Sequence, residues 1–174
     1  MKVVITHYHL NPGRVTRIIG SQVAGIQHIS EDTAITLLCG RDPGPSKIHG
    51  AETHIDDALD YWNGSWQDFE KKVEAITGLL KHHLTSQAVL HCHNPNLGKN
   101  PALTLAVYRL AGEGYPIVNH CHDFPEDRPA NMEILKDFLS RSTGKALPDI
   151  LYPEFTGYHF IVLNSCDYRR IIKA

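Results

Sequence analysis

Short apolar runs alternate along this chain with longer stretches of helical period, and that alternation admits few folds. The runs lie at residues 2–6, 33–39, 52–55, 88–93, 116–122 and 160–164. Between them Val15, Ile18, Ile19, Val23 and Ile26, and later Phe69, Val73, Ile76, Leu80 and Leu84, recur at the three-to-four spacing of one helix face. Strand, helix and strand in succession imply an α/β class domain, Rossmann-like, with a mainly parallel sheet between two helical layers (α/β/α). A length of 174 residues suits one such domain.

Local signals set the element ends. Ser65 with Asp68 three residues on reads as a variant capping box, and Asn100-Pro101 as an N-cap followed by a first-turn proline. Gly112 and Gly114 close that helix. Trp62 and Trp66 are expected to pack at a helix start. Residues 40–46 form a turn-rich loop, 129–139 a helix, and 141–157 an irregular stretch punctuated by Pro148 and Pro153. A helix opening near Ser165 runs to Ala174 with no C-capping glycine, which leads us to expect that it continues in a longer protein.

Composition narrows the function. A net charge of -2 with no basic run argues against nucleic acid as a partner. No apolar run approaches the roughly 20 residues of a transmembrane segment, and the N-terminal apolar run is too short for a secretory signal. Cys39, Cys92, Cys121 and Cys166 form no CxxC pair and read as buried free thiols of a cytoplasmic protein. Peripheral association with a membrane is left open.

Twelve histidines are the unusual feature. Three strands end in His-x-His: His7 and His9, His91 and His93, His120 and His122. Residues two apart on a strand share a face, and the carboxyl ends of parallel strands line the edge where such sheets bind ligands. Three readings of this rim compete. Paired imidazoles, completed by a third ligand such as Asp123, suit zinc and a metal-dependent hydrolase. Neutral histidines together with Arg14, Asn94, Asn96 and Lys99 suit hydroxyls or phosphates of a polar substrate. Each histidine, taken alone, can simply bond a backbone carbonyl.

The order of three segments, Pro-Gly-x-Val at residues 12–15, VLHCHNPNLGKNPALTLAVYRLAGEGYPIVNHCHDF, and FIVLNSCDYRRIIKA, resembles the N-terminal half of GT-B-fold retaining glycosyltransferases, the family-4-like N-terminal domain. The resemblance spans nearly the whole chain. It implies that residues 1–174 form the acceptor-side domain and that a nucleotide-sugar-binding C-terminal domain, absent from this chain, faces it across a cleft. It implies a nucleotide-diphosphate sugar donor, a sugar or other hydroxyl acceptor, retention of configuration, and neither a cofactor nor a catalytic metal, with residues 1–174 inactive alone. Gly13 matches a glycine of the loop that approaches the donor diphosphate, and Arg14 stands where the family has a second glycine. His122 matches the active-site histidine. His93 and Asn94 match an acceptor-side loop, and Asp123 a residue that holds that loop or a partner. A dinucleotide-binding module is the poorer match, because NPGRVTR replaces G-x-G-x-x-G after the first strand.

Overall fold

The computed structural model describes residues 1–42, 44, 47–62 and 64–173. Pro43, Pro45 and Ser46 of the turn-rich loop, Asn63 and Ala174 lie outside the described residues. Six parallel strands form one sheet in the order β3-β2-β1-β4-β5-β6. They are β1 (Lys2–His7), β2 (Ala34–Cys39), β3 (Glu52–Ile55), β4 (Ala88–His93), β5 (Ile117–Cys121) and β6 (Tyr158–Val162). Between them run α1 (Arg14–Ile29), α2 (Trp66–His83), α3 (Pro101–Gly112), α4 (Pro129–Leu135), α5 (Arg141–Thr143) and α6 (Leu147–Leu151), and α7 (Ser165–Ile171) follows β6.

Side-chain parity builds two cores. Val4, Leu90, Ile117 and Tyr158 sit level across four strands. They pack with Phe69, Val73, Ile76 and Leu80 of α2 and with the buried side of α3. The alternate residues Val3, Ile5, Ile35 and Leu37 face the other way and meet Ile19 and Val23 of α1. That second core reaches β1 and β2. Over β6, on the same face, Ile161 remains 40% exposed.

Two buried asparagines tie loops to this frame. Asn100 caps α3 by accepting from the Leu103 N–H, and its amide donates to the carbonyls of Ala58 and Asp60 at 2.9 and 2.8 Å. Asn131 donates to the Leu97 carbonyl. At Gly98 φ is +79°, and a Cβ there would come within 2.9 Å of the Asn131 backbone oxygen, so the residue has to be glycine.

Several expectations need correction. Residues 141–157 are not irregular throughout: a π-helical turn, Lys136–Ser140, carries α4 into α5, and α6 buries Ile150 and Leu151 beneath α3. Short helices of three and five residues carry too little periodicity to show in sequence. The Ser65 hydroxyl donates to the Asp68 carboxylate rather than capping a backbone N–H. Helix α7 does not run to the chain end: it closes at Ile171, with the Ile172 N–H on the Tyr168 carbonyl. Cys166 is exposed, unlike the three buried thiols. No helix among the described residues is long and apolar enough to cross a membrane.

Candidate functional site

Strand order reverses direction between β1 and β4, and ligands of open parallel sheets bind outside the carboxyl ends at such a switch point. A cleft of about 360 Å³ opens there. Its wall is made by His7 at the end of β1 with Tyr8 and His9 after it, the start of α1 from Gly13 to Thr16, Asn94, Leu97 and Lys99 after β4, Tyr61, and Asp123 and Arg128 after β5. Three cations against one carboxylate give this mouth a positive charge in a chain whose net charge is -2. The free N–H groups of α1's first turn add a partial positive charge at the same place.

Gly13 is the N-cap of α1 in fully extended backbone, a conformation open to any residue. A Cβ at this position would meet only the Asn11 carbonyl at 3.7 Å, an ordinary contact. The backbone therefore has room for alanine here, although glycine is the better N-cap. Tyr61 is half-exposed, with Arg41 and Lys99 flanking its ring at 5.5 and 5.4 Å and its hydroxyl 3.2 Å from His9 Nε2. It offers a flat face to a sugar or base. His9 Nδ1 is buried and has no partner among the described residues.

Behind the cleft lies a stack of imidazoles. The β4–β5 register sets His93 opposite His120, so the two His-x-His pairs merge into one cluster on the α1 side of the sheet. Ring centroids are 4.8 Å apart for His91–His93, 5.1 Å for His93–His122 and 4.2 Å for His120–His122, all near-parallel. One hydrogen-bond chain threads the cluster. His122 Nε2 lies 2.8 Å from His93 Nδ1, and His93 Nε2 3.0 Å from Gln22 Oε1. Gln22 Nε2 lies 2.7 Å from His91 Nδ1, and His91 Nε2 3.4 Å from His120 Nδ1. His91 and His93 each donate to one neighbour and accept from the other, while His120 and His122 end the chain with one bond each, so the proton positions are set from Gln22 outward.

Burial first, and mutual repulsion second, hold these rings neutral. His91 and His120 are pushed down to about 4, and His93 falls further. His122 is also lowered by burial, against an upward pull from Asp123. His7 is lowered to about 4 by burial, although its Nδ1–H donates to the His93 carbonyl. His7 and His9 meet edge-on with ring centroids 5.6 Å apart, but their hydrogen bonds diverge, His7 to the His93 carbonyl and His9 to Tyr61.

Asn94 joins cleft to stack. It is the one non-glycine residue with positive φ among the described residues, at 55°. Its Oδ1 accepts from the backbone N–H groups of His122 and Asp123 at 2.6 and 3.2 Å, and its carbonyl accepts from the Tyr8 hydroxyl. The structure thus gathers Gly13, Arg14, Asn94 and Asp123 around the cleft. His93, 1% exposed, and His122 belong to the stack beside it.

Asp123 does not complete a metal set with an His-x-His pair. It is exposed, 3.3 Å from Arg128, and His120 takes the third place beside His91 and His93. Gln22 went unnoticed in sequence, although a polar residue three after Ile19 and four before Ile26 breaks the apolar stripe of α1. Tyr61 had no comparable signal.

No family model matches the chain, and no solved structure matches it. Among curated proteins it is similar to mannosylglucosyl-3-phosphoglycerate synthase of Petrotoga mobilis (strain DSM 10674 / SJ95). The two are 28% identical over 181 aligned positions, covering 98% of this chain and 34% of the relative. This chain spans about a third of that relative's length. With the six-strand parallel sheet, the likeness supports a glycosyltransferase-like α/β domain, and the hydrolase alternative is not favoured.

Proposed function

We propose that residues 1–174 are the N-terminal, acceptor-side half of a GT-B-fold glycosyltransferase that moves a sugar from a nucleotide-diphosphate donor to a hydroxyl acceptor with retention of configuration. The observation that carries this reading is the cationic cleft at the β1/β4 switch point, in a chain similar along 98% of its length to a synthase whose named product joins sugars to phosphoglycerate. Anionic groups on both substrates fit a mouth built from Arg14, Lys99, Arg128 and the start of α1.

In the transfer, the acceptor oxygen bonds the anomeric carbon while the bond from that carbon to the diphosphate oxygen breaks. The electron pair leaves with the diphosphate, which also takes the hydroxyl proton. Positive charge grows on the sugar as the bond parts, and a neutral oriented imidazole such as His122 lies beside it without repelling it. Gly13 lets the diphosphate approach backbone N–H groups, Arg14 adds a charge in place of the family's second glycine, and Asn94 and Asp123 shape the acceptor side. His93 positions His122 through their shared hydrogen bond. The nucleotide half of the site belongs to a second domain.

Two measurements test this. Residues 1–174 alone are expected to transfer no sugar, and measurable transfer by them overturns the two-domain reading. In the intact transferase Gly13→Ala is expected to change folding stability by no more than about 0.5 kcal/mol while raising the donor KM about tenfold, or about 1.4 kcal/mol. An unchanged donor KM removes Gly13 from the diphosphate site.

A further inference from the structure

We propose that His91, His93 and His120 form a binding site for a first-row transition-metal ion, zinc foremost, on the α1 face of the sheet behind the cleft. Each presents one ring nitrogen, and the three donor atoms lie within 4.8 Å of one another. Three points so spaced share a centre within about 2.8 Å of each, and rotations of the rings by under about an ångström bring them to the roughly 2.0–2.1 Å of a zinc–imidazole bond. The pair His91 Nε2 and His120 Nδ1, 3.4 Å apart, already stands at the donor–donor edge of a tetrahedral site, about 3.3–3.4 Å for such bonds.

Chemistry narrows the ion. An all-imidazole set suits zinc, copper or nickel and not magnesium or calcium, which take oxygen donors. The rings are held neutral by burial, so binding releases no net proton, although the His91 proton has to move from Nε2 to Nδ1 to free the metal-facing nitrogen. Two ligands sit on β4 and one on the adjacent β5, so rigid hydrogen-bonded strands set their spacing. Gln22 of α1 supplies the outer contact, its Oε1 accepting from His93 Nε2–H, the kind of partner that orients a metal-bound imidazole. His122, whose Nε2 stands 2.8 Å from His93 Nδ1, is the next imidazole in reach. The site stands whether or not the protein transfers sugar.

The test is zinc uptake by the chelator-stripped protein in competition with a chromophoric chelator, alongside cobalt(II) absorption. One equivalent is expected to bind well below micromolar, with the intense visible bands of a tetrahedral cobalt site. His91→Ala and His120→Ala are expected to abolish that equivalent, and Gln22→Ala to weaken it about 10–100-fold. His82→Ala and His159→Ala, at exposed positions, are expected to leave it intact. Circular dichroism of each variant checks its fold, and the wild-type cobalt spectrum needs no variant at all. Failure of the stripped protein to compete for zinc, an octahedral cobalt spectrum, or undiminished uptake by folded His91→Ala and His120→Ala overturns the site.

Discussion

Replacing Asn94 by alanine is expected to destabilise the domain by about 3–5 kcal/mol, a large part of the 5–15 kcal/mol typical of a domain. Two effects add. The side-chain oxygen that receives the His122 and Asp123 N–H groups disappears, leaving two only partly buried donors unpaired at about 1–1.5 kcal/mol each, the low end of such penalties. Alanine must then hold φ near 55°, which costs about 1–2 kcal/mol more. The melting temperature should fall by roughly 10 °C for a chain of this size. Asn94→Gly separates the two terms, because glycine accepts the backbone angle and loses only the oxygen. It should recover about 1 kcal/mol of the alanine loss. Equal destabilisation by the two variants would show that the backbone angle costs nothing, and a loss below about 1 kcal/mol in alanine would remove Asn94 as the pin of the site.

That pin was not legible in the sequence, whereas the strands around it were. Strands β3 and β4 occupy the residues expected from their apolar runs, and β1, β2 and β5 lie within a residue of them at each end. Strand β6 begins two residues earlier than expected. Tyr158, buried and bonded through its hydroxyl to Asn119, opens the strand ahead of the apolar run that announced it. Alternation along a strand correctly grouped His91 with His93 and His120 with His122. It could not say that β4 and β5 would pair with His93 opposite His120, and that register turns two pairs into a single cluster. That register depends on how the α3 crossover between them, with α2 beside it, packs beneath the sheet. Gln22 stands between these cases. Its place within the apolar stripe of α1 was visible, but the partners that explain it, His91 and His93, lie 69 and 71 residues away.

The second large effect concerns His122. On the proposed transferase reading, His122→Ala in the intact protein is expected to lower kcat about 10²–10³-fold with little change in KM, the signature of a contact made in the transition state rather than in substrate binding. Position singles it out from its neighbours. His91 and His93 are nearly sealed from solvent, at 7% and 1% exposed, whereas His122 lies beyond the end of β5 and is only half-buried. Its orientation is fixed from three sides: stacking on His93 at 13° between planes, stacking on His120 at 21°, and the Asn94 oxygen on its backbone N–H. Burial lowers the pKa of the ring although the adjacent Asp123 pulls it up. The assay is to be run in excess chelator as well as without it, because His93, the hydrogen-bond partner of His122, is also a ligand of the metal site. A kcat loss that persists in chelator belongs to the ring of His122 itself. A loss confined to the metal-loaded protein assigns the effect to the ion, and a loss under about tenfold in both conditions leaves His122 a packing residue.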